Sequence, residues 1–336
     1  MAEDPAAPPA LVIRQRQGAT ESVHRGWAVL WENAEVRSVG DPWTPVFTRS
    51  CTKPFQALAF VASGAADRFG CTAEEIAVAC SSHNGESEHR STVARMLGRA
   101  GLSEGHLRCG KSEPFGERAR REFHRRGELP SAIVHNCSGK HAGFLLTQVH
   151  LGGPPESYLD PDSPVQRLTR AMTANAMGVS DEALGLAVDG CSAPTFRPPL
   201  LALAVGFARL ANPGLAPDEI APHLSRIAEA VTSHPHLYSG TGRLCHGILK
   251  ASGGAVIPKN GAEKVYAFGV RGKKLGFAVK VEDGNHHGYE AMVVRLLRRL
   301  GTLGEGAAPE LARFENLDLK NAAGLVIGRA EVVAEL

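Results

Sequence analysis

The sequence predicts a mixed α/β protein in which an antiparallel sheet, built from both chain termini, frames a mostly helical middle region. Three observations lead there. Short apolar runs bounded by Gly and polar residues occur near the start, at 11–16 and 26–31. Similar runs return late, at 265–270 and 275–281 around the turn Arg271-Gly272-Lys273-Lys274, and again near 325–333. From about residue 72 to 231 the apolar positions instead recur at spacings of three and four, interrupted by Gly and Pro.

Taken in order, residues 2–9 are an Ala/Pro lead-in carrying two acids, and 11–16 and 26–31 read as paired strands. After a loop at 42–45, the segment 48–63 is helical from Lys53 onward, with Phe55, Leu58, Ala59 and Ala62 on one face and Gly64 ending it. Helices follow over 74–80, 86–99, 116–124, 140–149, 164–177 and 198–210; an amphipathic helix over 289–300 precedes the last strand. One catalytic domain over 1–336 is expected, with its sheet part at about 10–47 and 262–336 and its helical part at about 48–261. A site would lie in the cleft between the parts.

The composition removes several classes of function. Hydrophobic residues at 43% and charged residues at 21% fit a globular protein with a sizeable interior. The formal charge of +2, without a long basic run, argues against nucleic acid as a partner. The densest basic stretch, Arg118 to Arg126, is interrupted by Glu122 and reads as a solvated helix face. No apolar run approaches the ~18 residues of a membrane span, and the acidic start lacks a signal-peptide core, so a cytoplasmic protein is expected. Seven cysteines, an odd number, are expected as thiols or metal ligands, with Cys71 and Cys109 as small buried hydrophobes.

The chemistry concentrates in polar islands. In Arg49-Ser50-Cys51-Thr52-Lys53-Pro54, Ser50 and Lys53 are three residues apart, just under one helical turn, so an amine can take the hydroxyl proton. Such an amine must be partly neutral, which burial or a second cation such as Lys259 can achieve. Ser82-His83-Asn84 and Lys259-Asn260-Gly261 add a Ser-x-Asn and a Lys-x-Gly, the set that accompanies Ser-x-x-Lys in serine acyl-transfer enzymes. Capping of the next helix is the alternative use of Ser82 or Asn84. Further islands are Asn136-Cys137-Ser138-Gly139-Lys140-His141 and Val188-Asp189-Gly190-Cys191. Cys137, Cys191 and His141 are of the type that binds a soft or borderline metal, though the paired Cys-x-x-Cys units of strong zinc sites are missing. Asp189 suits a substrate α-amino group or caps a loop. His234 and His236, and likewise His286 and His287, read as exposed loop histidines.

Together these islands resemble the rhizobial-type (class 3) L-asparaginases across nearly the whole chain. The resemblance implies a fold like that of the serine β-lactamases and penicillin-binding proteins, and hydrolysis of the L-asparagine side-chain amide. It implies two Ser-Lys couples, Ser50 with Lys53 and Ser82 with Lys259, and substrate contacts from Arg49, His83, Asn84, His141 and Asp189. It further implies a supporting zinc on Cys137, Lys140 and Cys191, a role left open for Cys245, and a homodimer. Ser50 is the favoured nucleophile, with Ser82 and Lys259 relaying the proton. The alternatives are a glutaminase, a penicillin-recognising acyl-serine enzyme and a non-catalytic amino-acid-binding scaffold.

Overall fold

The computed structural model describes residues 7–285, 288–304 and 309–336. Part of the lead-in and the pair His286 and His287 lie outside them. Ten strands are named in chain order: β1 (Ala10–Arg16), β2 (Ala19–Glu32), β3 (Glu35–Val39), β4 (Leu186–Val188), β5 (Pro194–Phe196), β6 (Val256–Asn260), β7 (Val265–Val270), β8 (Leu275–Val281), β9 (Asp318–Lys320) and β10 (Val326–Val332). An antiparallel sheet runs β6-β7-β8-β2-β1-β10-β9, with β3 also on β2, while β4 and β5 form a separate hairpin.

Both faces of the sheet are covered. Side chains alternate, so Val29, Ala267 and Ala278 join the core of the helical region, whereas Ala28, Leu30, Tyr266, Phe268 and Phe277 pack with the helix Tyr289–Arg299. The helix Leu200–Ala211 lies directly on the first face. A Cβ at Gly269 or Gly276 would sit 1.9 Å from the carbonyl oxygen of Phe207 or Ala204, so only glycine permits that approach. Strand β6 is an edge, where Pro258 costs no ladder bond. Its alternation sends Ile257 and Lys259 toward the helical region and Val256 to the opposite face.

That strand corrects the expected boundary, since the sheet part begins at Val256 rather than near 262. A five-residue strand containing proline, preceded by Gly253-Gly254, carries too little period-two signal to be read. The helices Ala221–Ser233, Pro235–Ser239 and Leu244–Ala251 also lay beyond the expected set. Among the described residues, no helix is long and apolar enough to cross a membrane.

Three helices position the chemistry: Lys53–Ala62, Ala73–Ala79 and Ser138–His150. The second is fixed by a capping box, Thr72 with Glu75, and the buried Glu75 carboxylate also pairs with Arg95 and Arg99. The third crosses it backbone to backbone, because a Cβ on Gly139 would lie 2.3 Å from the Val78 carbonyl oxygen. Gly139→Ala must therefore push the two helices apart. We expect a loss of about 2 kcal/mol or more, read as a lower urea midpoint at unchanged slope.

Candidate active site

Lys53 opens its helix and is fully buried. Its ammonium donates to the Ser81 carbonyl at 2.6 Å and to Ser82 Oγ at 3.0 Å, and it lies 3.1 Å from Cys137 Sγ and 3.4 Å from the Asn136 carbonyl. Lys259 reaches the same hydroxyl from β6, its Nζ 3.1 Å from Ser82 Oγ. Burial, and next the charge of Lys53, push Lys259 down to about 7. Ser82 thus stands between two amines, one of which readily goes uncharged at neutral pH.

Ser50 sits in the 3-10 turn Arg49–Thr52, just before that helix, and shares with Ser82 a cavity of about 370 Å³. The expected pairing of Ser50 with Lys53 differs from what is observed: among the described residues, no hydrogen bond joins them, since Lys53 is held by the acceptors of segments 81–82 and 136–137. Gly261 explains the Lys-x-Gly. A Cβ there would come within 2.9 Å of the Thr48 carbonyl oxygen, so glycine lets the turn carrying Ser50 pack against the end of β6.

The other expected substrate contacts divide. Arg49, held at a positive φ of 48°, donates from Nε to Asp189 Oδ1 at 2.7 Å, so these two side chains engage each other. Arg49 lines a different cavity, beside Phe47 and Val188. His83 and Asn84 are buried and absent from the walls of the Ser50–Ser82 cavity. His83 accepts from Gly85 N–H at one ring nitrogen and meets Ser138 Oγ with the other, and Asn84 donates to the Thr241 carbonyl. Both His83 nitrogens and the Asn84 amide nitrogen thus hold the loop, while Asn84 Oδ1 is buried without a hydrogen-bond partner among the described residues.

Cavity-lining side chains that the islands did not indicate include Arg243, Lys264, Tyr266 and Glu290. Arg243 Nη1 is buried without a hydrogen-bond partner among the described residues, and Glu290 is raised by burial. Isolated charges in ordinary helical and loop sequence leave no signal to find them by. Cys245, whose role was open, lines the same cavity and lies 3.4 Å from Tyr266 Oη.

The candidate metal ligands also meet. Lys140 Nζ is 3.3 Å from Cys191 Sγ. Hydrogen bonding with Cys191, then burial, raises the Cys137 thiol; the same bond, opposed by burial and helped by Lys140 and His141, holds Cys191 far below the usual thiol range. Burial lowers Lys140, but the nearby sulfurs and Asp189 outweigh it and raise the amine. His141 Nδ1 meets Tyr158 Oη at 2.7 Å, leaving its buried Nε2 facing Cys191 without a well-formed hydrogen bond. Two sulfurs and an amine suit a borderline cation such as zinc, though Cys137 Sγ, Cys191 Sγ and the His141 ring nitrogen do not all lie within 4.8 Å of one another. Loading it would require Lys140 and Cys137 to give up protons.

No curated protein matches the chain. Among solved structures it is similar to Mglu in its native form, at 16% identity over 88% of this chain and 68% of that one, with a TM-score of 0.42. It is also similar to Mglu in its tris and glutamate form, at 13% identity over 90% of this chain and 65% of that one, TM-score 0.41. The chain therefore spans about two thirds of the length of those proteins. A mutant class C beta-lactamase is similar at 13% identity over 76% of this chain and 87% of that one, TM-score 0.36. The profile of the family described as L-asparaginase II matches residues 12–332, nearly the whole sequence, and the chain belongs to that family.

Proposed function

We propose that this protein hydrolyses the side-chain amide of L-asparagine to L-aspartate and ammonia by serine–lysine catalysis. The observation that carries the reading is Ser82 Oγ, wired to Lys53 and Lys259 on the wall of a cavity it shares with Ser50. The same cavity holds Arg243 and Glu290, opposite charges that suit the α-carboxylate and α-ammonium of an amino acid. A simple carboxylic acid would use only the first of these charges and an uncharged amide neither.

Ser50 is the nucleophile in this reading. Ser82 is only 3% exposed and has both amines at its oxygen, whereas Ser50 is half-buried, faces the cavity and stands at a helix N-terminus that favours an alkoxide. Hydrogen bonds to a nucleophile commonly tighten only when substrate seats. Ser50 Oγ attacks the amide carbon and its proton passes through the Lys53–Ser82–Lys259 chain to the leaving nitrogen. Ammonia departs, leaving an aspartyl ester that water hydrolyses. A second reading, direct attack by Ser82 with Lys259 as base, is favoured by their 3.1 Å contact. Cys137, Lys140 and Cys191 would hold the zinc of the family resemblance, which when bound would supply an electrophilic contact for orienting substrate.

The test is ammonia release from asparagine beside glutamine, with a β-lactam as a covalent probe. We expect kcat/KM for asparagine to exceed that for glutamine about tenfold or more, one methylene being worth that much in a fitted pocket. Preference for glutamine, a stable β-lactam adduct without amide turnover, or asparagine binding without ammonia would each overturn the assignment.

A further inference from the structure

Away from the serine–lysine cavity, Glu86, His89 and His236 bring one donor atom each to within 4.8 Å of one another. Glu86 precedes the helix Ser87–Arg99, His89 lies in its first turn, and His236 comes from the short helix Pro235–Ser239. This corrects the reading of His236 as an exposed loop histidine, since its ring packs on His89 at 4.9 Å. The His89 side chain is fully buried, and its Nε2 donates to the His236 carbonyl at 3.0 Å. That bond fixes the tautomer that leaves a lone pair on Nδ1, the arrangement in which protein histidines bind metals. His236 Nδ1 is 3.4 Å from Thr241 Oγ1, and Asn84 Nδ2 is 3.4 Å from the first carboxylate oxygen of Glu86.

The second polar atom of each residue is thereby engaged. The remaining three, His89 Nδ1, His236 Nε2 and Glu86 Oε2, are buried without a hydrogen-bond partner among the described residues. Their separations from Glu86 Oε2 are 3.6 Å for His89 Nδ1 and 3.2 Å for His236 Nε2. These bracket about 3.3 Å, the edge of a tetrahedron whose metal–ligand bonds are about 2.0 Å. Glu88 Oε2 lies 2.7 Å from His236 Nε2 at the exposed side, an ion-pair contact shorter than that edge, and would draw back to serve as a fourth ligand. An ion pair of His236 with Glu86 and Glu88 alone would still leave His89 Nδ1 orphaned. Burial above all holds His89 down at about 4, so its ring is neutral at pH 7 and its lone pair is free. Two of the guanidinium groups lining the adjoining cavity are already paired, Arg90 with Glu128 and Arg126 with Glu122.

We propose that Glu86, His89 and His236, with Glu88 completing four-coordination, bind a divalent first-row transition ion of the zinc type that clamps segment 82–86 to the helix Pro235–Ser239. The site lies apart from Cys137, Lys140 and Cys191 and does not depend on the amide chemistry. Its link to Ser82 is mechanical: His83 stacks on His89 at 4.9 Å, with the rings 14° from parallel.

Metal-stripped Cys191→Ser protein, in which the sulfur cluster is broken, is titrated with Zn²⁺ and separately with Co²⁺. We expect one equivalent bound, a cobalt spectrum without thiolate charge-transfer absorption, and a higher melting temperature with zinc. Adding His236→Asn, or Glu86→Gln as a second variant of lower folding risk than any change at His89, should weaken binding about 100-fold or more and abolish the thermal shift. Absence of binding by folded Cys191→Ser protein, or undiminished binding in both further variants, would overturn the proposal.

Discussion

Lys259→Met is expected to lower kcat by about a thousandfold while leaving the protein folded, because it removes the amine that burial and Lys53 hold near pKa 7. Lys259→Arg should be as inactive, since a guanidinium stays protonated at any working pH. The base acts only when neutral, so kcat/KM of the wild-type enzyme should fall about tenfold per pH unit below about 7 and level off above it. Stability carries the same sign. Between about 7 and 10.5 the unfolded chain binds a proton at Lys259 that the folded chain refuses, so this group makes folding more favourable as pH rises through that window. Lys259→Met abolishes that contribution and should melt no lower than wild type at pH 7, which separates lost chemistry from lost fold. Activity within tenfold of wild type, or a rate independent of pH between 5 and 8, would remove Lys259 from the reaction.

Ser50→Ala and Ser82→Ala divide the two assignments of the nucleophile. With Ser50 attacking, Ser50→Ala should lose about 10⁴- to 10⁶-fold in kcat and form no aspartyl ester. Ser82→Ala should lose about 10²- to 10⁴-fold, the scale of a severed proton path, while still accumulating an ester on Ser50. Rapid quenching with peptide mass spectrometry reads the difference directly. An ester on Ser82 in the Ser50→Ala protein would transfer the nucleophile to Ser82 and leave Lys259 as its immediate base.

The meeting of Ser82 with Lys259 was legible in the sequence because each group sits in a short polar island of its own. Gly261 and Gly139 mark places where two backbones touch, and such contacts permit few substitutes. What Lys53 bonds to was not legible. A flexible four-carbon stem chooses among acceptors from segments distant in sequence, here the Ser81 and Asn136 carbonyls, the Ser82 hydroxyl and the Cys137 sulfur. For His83 and Asn84 the sequence left the use open, because a polar island serves a ligand or its own loop with the same residues. Arg243 and Glu290 become neighbours only when the helix Leu244–Ala251 and the helix Tyr289–Arg299 meet at the sheet.

Strand β1 closes on β10 through the pairing of Val12 with Val332, and Lys259 hangs from β6, laid down long after Ser50, Lys53 and Ser82. A chain leaving the ribosome therefore carries both hydroxyls and one amine for 177 further residues before the second amine is made. The two-lysine arrangement is complete only once β6 has paired with β7 of the hairpin β7–β8. Pairings this remote also make for slow maturation, with half-built sheet edges exposed in the meantime.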